Sequence, residues 1–139
     1  MKHELKIKRV CETPDRDDGR RILVDRLWPR GLTKEKAKIN LWLKDIAPST
    51  DLRKWFGHDP KKWRGFRRRY QTEIKYHAAQ IKLIKSNVKK GPVTLVYGSR
   101  DQEHNEAVVL KRFLKKDGWL RTESIAAKTS QHYGTVAEI

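Results

Sequence analysis

At 139 residues and 16.4 kDa the chain has room for one domain with a real core and is too short for two of ordinary size. Five tryptophans and 37% hydrophobic residues beside 36% charged ones exclude global disorder, while apolar runs of only a few residues exclude a spanning helix, which needs about 20. The net charge of +16 is uneven: residues 1–52 carry 13 Lys+Arg against 9 Asp+Glu, residues 53–90 carry 13 against 2, and residues 91–139 carry 7 against 6.

No signal-peptide core follows Met1-Lys2-His3-Glu4-Leu5, so a cytoplasmic protein with no membrane partner is expected. The period-two alternation of Leu5-Lys6-Ile7-Lys8-Arg9-Val10 predicts a first strand with one buried face. Cys11, the single cysteine, has no partner for a disulfide or a thiolate cluster and reads as a buried or bystander thiol. The turn formers from Pro14 to Gly19 lead into Arg21-Ile22-Leu23-Val24, whose continuous apolar run predicts a strand covered on both faces. That strand ends in Asp25-Arg26-Leu27-Trp28-Pro29-Arg30-Gly31, which places charge at a strand end, where open α/β sheets bind ligands.

Thr33 is a candidate N-cap for a helix from Lys34 to about Leu43, with Ile39, Trp42 and Leu43 inward. Ser49 or Thr50 caps a short helix holding Leu52, Trp55 and Phe56, stopped by Gly57. Asp59-Pro60 opens the next element. Trp63, Phe66, Tyr70, Ile74, Ala78, Ile81, Ile84 and Val88 then form one apolar stripe, predicting a single long basic helix of roughly 28 residues, or about 42 Å, with Gly65 a possible interruption of its first turns. After the break at Lys89-Lys90-Gly91-Pro92, Val93-Thr94-Leu95-Val96-Tyr97 reads as a central strand. Gly98-Ser99-Arg100-Asp101 turns into a helix near Gln102 that carries Ala107, Val108, Leu110 and Leu114 inward and ends at Asp117-Gly118. The fold class is therefore α/β: a small, mostly parallel sheet flanked by helices, one of them long, basic and amphipathic. Residues 1–118 form the single domain, and residues 119–139 a polar C-terminal tail.

If the two apolar strands are parallel neighbours, the loops after them share one edge. Asp25, Arg26, Arg30, Arg100, Asp101, His104 and Asn105 then face one cleft, with Trp28 the aromatic placed at the ligand. Arginine forks and free helix amides suit an anion. The leading reading is a binding protein for a phosphate-bearing ligand, nucleic acid or nucleotide, whose surface is extended by Arg64, Arg67, Arg68 and Lys75. A second reading is a small enzyme acting on a nucleotide or other anionic metabolite, with His104 as acid or base and Asp25 or Asp101 handling protons. A third is a protein-interaction domain with an exposed apolar patch at Trp55-Phe56. Purely structural roles compete with all three: Asp25 paired with an arginine, Asp101 capping a helix, Trp63, Phe66 and Tyr70 in the core, and the basic helix as a solvated face. No metal spacing, nucleotide-cofactor motif or serine-hydrolase motif occurs, so no cofactor is named.

Four segments carry a resemblance: Asp25 to Gly31, Trp42-Leu43-Lys44-Asp45-Ile46-Ala47-Pro48-Ser49, Leu52-Arg53-Lys54-Trp55-Phe56-Gly57-His58, and Asp101-Gln102-Glu103-His104-Asn105-Glu106-Ala107-Val108-Val109-Leu110. Over residues 5–116 the chain resembles the bacterial YeaO-like branch of domain-of-unknown-function family 488 (DUF488), with the tail after Trp119 outside the match. The resemblance implies a small cytoplasmic α/β domain and brings no reaction, cofactor or catalytic residue. Broader relatives often carry Cys-His-Arg where this chain has Glu103-His104-Asn105, which keeps His104 but not the neighbouring thiol and guanidinium.

Overall fold

The most apolar run in the chain becomes the centre of the sheet. In the computed structural model, which describes residues 4–116, Val93–Tyr97 (β4) is buried along its whole length. It lies between Leu5–Arg9 (β1) and Arg20–Leu23 (β2), with Leu41–Trp42 (β3) outside β2, giving the order β1-β4-β2-β3. All three pairings are parallel, and the register aligns Leu5 with Val93, Arg20 with Val93, and Ile22 with Leu41. Parallel order brings every strand's C-terminal end to one edge, so the ends of β2 and β4 are neighbours there.

The two faces are covered differently. On one, Ile22, Val24, Leu41, Leu43, Leu95 and Tyr97 join the main core with residues from four helices: Thr50–Phe56 (α2), Trp63–Ile74 (α3), Ala78–Lys90 (α4) and Glu106–Lys116 (α5). On the other, Val10, Leu23 and Val96 are packed by Trp28, Leu32, Ile39 and Trp42. β2 is thus covered on both faces, as its unbroken apolar run requires, but one cover is the segment after the strand rather than a helix layer.

Thr33 caps Lys34–Ala37 (α1) by accepting from the Lys36 amide, but the helix stops after one turn at Lys38, whose φ is +50°. The expected helix to Leu43 is replaced by an edge strand. Asn40 donates its amide to the Arg21 carbonyl, and the Leu43 amide donates to Leu23, so β2's edge supplies the partners that a helix would have found internally. Period two then sends Leu41 and Leu43 to the main core and Trp42 to the other face, where Ile39, ahead of the strand, also packs.

The single long helix is also two. α3 ends at Ile74, where the Tyr76 and His77 amides bond back to Glu73 and Ile74 at 3.0 and 2.9 Å, and α4 begins at Ala78. A rod of about 42 Å would overrun a sheet whose five-residue strands span only about 17 Å. The break folds one apolar stripe back onto one core, while Tyr76 at the corner is exposed. Gly65 does not interrupt α3. A Cβ there would stand 2.8 Å from the Trp55 ring, so the glycine lets α2 and α3 approach, and Phe56, Trp63, Phe66 and Tyr70 pack in series beside it. Trp63 is half-buried against the core, Phe66 and Tyr70 are buried within it, and no open Trp55-Phe56 patch forms.

Cys11 is exposed rather than buried. The predicted end of the last helix at Asp117-Gly118 and the tail from 119 to 139 lie outside the described residues. No helix among the described residues is long and apolar enough to cross a membrane.

Gly19 closes the turn before β2 with φ +65° and ψ −139°, a region that belongs almost to glycine alone. A Cβ there would lie 2.1 Å from the Pro92 carbonyl oxygen. Gly19→Ala is expected to cost about 2–4 kcal/mol from backbone strain and overpacking. Urea unfolding should show the midpoint falling with little change in slope; an unmoved midpoint would exclude this turn geometry.

Candidate functional site

Asp25 leaves the end of β2 and reaches across to β4. Its Oδ2 accepts the Gly98 amide at 2.8 Å, and a Cβ on Gly98 would come within 2.9 Å of that same oxygen. The sequence Tyr97-Gly98 therefore combines a buried strand end with the only side-chain size that admits the carboxylate. Oδ1 of Asp25 is enclosed and receives no N–H or hydroxyl donor from the described residues, which leaves only a protonated carboxyl to meet it. Facing it is Glu106, the first residue of α5. Burial, followed by a hydrogen bond and charge repulsion from Asp25, raises the Glu106 carboxyl well above the usual carboxylate range, with Arg53 acting weakly the other way. One proton held by Glu106 turns two repelling carboxylates into a donor and an acceptor.

Around this pair lies a cavity of about 410 Å³ lined by Arg26, Leu27, Ala47, Pro48, Thr50, Arg53, Lys54, Phe56, His58, Phe66, Ser99, His104 and Asn105 as well. The segment from 46 to 56, which forms much of its wall, is fastened at three points. Arg26 donates Nε to the Pro48 carbonyl and Nη2 to Ala47, both at 3.2 Å. Tyr70 donates its hydroxyl to Ile46 at 2.6 Å, and burial raises that phenol well above its usual pKa. Glu73 accepts the Ser49 amide at 2.8 Å and its hydroxyl at 2.6 Å, while Ser49 caps α2 through the Leu52 amide. Arg53, Lys54 and His58 are exposed residues on the rim.

His104 borders the cavity, but its ring is held. Nδ1 lies 2.9 Å from Asp101 Oδ2, and the ring meets Trp63 edge-on at 5.1 Å between centroids. Asp101 Oδ1 accepts the Glu103 and His104 amides. Partial burial opposes its ionisation, but those amides and the His104 ring outweigh it and keep the carboxyl below its usual value. The helix begins at Glu106, not near Gln102, because Asn105 is its cap: Oδ1 accepts the Val108 amide and Nδ2 donates to the Asp101 carbonyl. Asp101 orders the preceding turn.

Of the residues expected to share a cleft, Asp25, Arg26, His104 and Asn105 do line one cavity. Asp101 stands behind His104 and is not among the lining residues. Arg30 and Arg100 are exposed and do not line it either. Trp28 is on the other face of the sheet, where it donates Nε1 to Leu32 at 2.6 Å and packs edge-on to Trp42. Arg64 and Arg68 on α3 and Lys75 just beyond it are exposed outside the cavity, and Arg67 lies 5.9 Å from the Trp63 ring. Glu106, Arg53 and Lys54 were not singled out by sequence reasoning. Glu106 follows the Asn105 cap, and an acid in a first helical turn reads as ordinary dipole compensation. No group of three or more His, Cys, Asp or Glu among the described residues is arranged to hold a metal.

Comparison with known proteins gives a consistent family. The model of the inactive DUF488-N3 subclade matches residues 4–133, so the match runs past residue 119 into the stretch expected to lie outside it. The chain is similar to the uncharacterized protein YeaO of Escherichia coli, at 40% identity over 111 residues, or 80% of this chain and 96% of that one. It is equally similar to an uncharacterized protein of Mycobacterium tuberculosis, at 40% over 110 residues, covering 79% of this chain and 92% of the relative. No solved structure matches the chain.

The raised Glu106 carboxyl has a measurable signature. The native state holds this proton more tightly than the unfolded chain, so its contribution to stability is complete below the ordinary value of 4.5 and is lost as pH rises through the raised one. Glu106→Gln keeps a donor without the charge. Thermal unfolding should show the variant melting a few degrees above the parent at pH 8, with the two converging near pH 4; parallel curves would contradict the shared proton.

Proposed function

We propose that this chain, which belongs to the YeaO-like DUF488 family, binds a small phosphate-bearing ligand of nucleotide type at the C-terminal edge of its sheet and does not turn it over. The observation that carries this reading is the division of charge in one cavity: a carboxyl pair, Asp25 and Glu106, on the floor and Arg53, Lys54 and His58 on the rim. A nucleotide matches both parts, because its phosphate suits the basic rim while its base and ribose offer N–H and O–H donors to the floor. A cavity of about 410 Å³ suits a ligand of this size better than a polymer, whose backbone would meet the carboxylates with like charge.

Binding without turnover is favoured by the description of the matching subclade as inactive and by the arrangement around His104. Its Nδ1 is engaged by Asp101 and its ring is wedged against Trp63, which serves the shape of the wall. The arginines of α3 would then raise the local concentration of anions without contacting the bound ligand.

Calorimetric titration with nucleoside monophosphates, and with a short single-stranded oligonucleotide for comparison, separates cavity from surface. Replacing Arg53 and Lys54 together by glutamine should weaken nucleotide binding by about tenfold, the loss expected for one charge-assisted contact. Arg64→Gln and Arg68→Gln should leave it unchanged. Oligonucleotide binding that depends on Arg64 and Arg68, with no nucleotide binding at all, would overturn the reading.

A further inference from the structure

We propose a second anion site, for a phosphate group, at the opposite, N-terminal edge of the sheet, built by Arg21, Arg16 and Lys38. It begins with an arginine in an unusual position. Arg21 is only 3% exposed, although it carries a charge that proteins seldom bury unpaired. Two of its nitrogens are accounted for: Nε donates to the Ala37 carbonyl at 3.0 Å, and Nη1 donates to Asp18 Oδ2 at 2.7 Å. The third, Nη2, is enclosed and has no partner from the described residues. An unmet donor on a buried cation is among the costlier defects that a fold can carry.

Asp18 does not relieve it, because that carboxylate is already divided. Lys8 lies 3.1 Å from Oδ1, and Oδ2 also accepts the Asp15 amide at 3.0 Å. Burial alone would raise the Asp18 carboxyl, but the Asp15 amide, Lys8 and Arg21 together hold it below its usual value. Two cations, buried Arg21 and partly buried Lys8, thus share one ionised acid, and the three side chains together keep an excess positive charge.

Arg21 borders a hollow of about 370 Å³ that opens among Asp15, Arg16, Gly19, Lys38 and Asn40. Three cations therefore come from three separate segments: the turn before β2, β2 itself, and the end of α1. The one acid there, Asp15, has its Oδ1 occupied by the Asp17 amide at 2.9 Å. Asn40 accepts the Arg21 amide through its carbonyl oxygen at 2.8 Å, which leaves its NH2 group to donate. Lys38 is held at φ +50°, a conformation that glycine would adopt at lower cost, so a charged side chain stands where a turn alone would favour none. A phosphate seated between Arg16 and Lys38 borders the Arg21 side chain, and a small shift of that guanidinium brings Nη2 the acceptor that it lacks. Its tetrahedral oxygens suit cations converging from three directions better than a planar carboxylate does.

The test uses the full chain labelled with nitrogen-15 and titrated with inorganic phosphate, and separately with acetate, at constant ionic strength. Phosphate should shift the amides of Gly19, Lys38 and Asn40 and the Nε–H of Arg21, and acetate should do so more weakly. Lys38→Gly preserves the backbone conformation while removing the charge, and Arg16→Gln lies on an exposed turn, so both variants should stay folded. Each should weaken the response at this edge by about threefold and the pair by about tenfold, the scale of exposed charge contacts. The Gly98 amide reports the cavity at the other edge independently and should respond alike in all variants. Absent shifts at Gly19, Lys38 and Asn40, or an equal midpoint in the double variant, would overturn the proposal, as would acetate matching phosphate.

Discussion

The Asp25 carboxylate accepting the Gly98 amide at 2.8 Å joins the ends of β2 and β4 at the point where the chain must also build a cavity. Because the strands are parallel and adjacent, a single side chain bridges them, and because residue 98 is glycine, nothing blocks the approach. Other contacts follow from that bridge. The Asp25 carbonyl accepts Nε1 of Trp42 at 2.7 Å, which ties the edge strand β3 to the same corner. The next residue, Arg26, holds the segment at Ala47 and Pro48, so the wall of the cavity is positioned from its floor.

The unequal cover of the sheet explains where ligand chemistry is available. Four helices occupy one face, and their packing leaves a hollow where α2, α3 and the start of α5 meet the strand ends. The opposite face is closed by Trp28, Leu32, Ile39 and Trp42 and carries buried Asp18 and Arg21, with the partly buried Lys8, toward the other edge. The same short, parallel sheet thereby separates two electrostatic environments, one with paired carboxyls beneath a basic rim and one with a buried guanidinium that shares its acid with Lys8.

Much of this was legible in the residues. The burial of Val93–Tyr97, the caps at Thr33 and Ser49, the stop at Gly57 and the placing of Asp25, Arg26, His104 and Asn105 at one edge all follow from local chemistry that tertiary packing reinforces. The failures share a cause. The stripe from Trp63 to Val88 has the period of one helix, yet periodicity reports which residues face the core and not how long a rod the core can support. Leu41-Trp42 is too short for alternation to reveal, and it is a strand because β2 has an open edge. Trp28 follows a charged strand end, but its indole is better satisfied by Leu32 and Trp42 than by a cavity on the other face. Glu106 was hidden because its significance depends on Asp25, which lies far earlier in the chain.

Seen as chemistry, the site sets two acids, Asp25 and Glu106, under a rim of cations, with burial and the neighbouring Asp25 favouring the protonated form of Glu106. A proton on Glu106 halves the negative charge of the floor and makes the floor both donor and acceptor. The most direct measurement is carbon-13 NMR of the Asp25 and Glu106 side-chain carboxyls, followed through a pH titration with and without a nucleoside monophosphate. The account predicts that Glu106 titrates well above 4.5 and that the nucleotide displaces the resonances of both carboxyls. An ordinary, independent titration of Glu106 that the nucleotide leaves unmoved would contradict it.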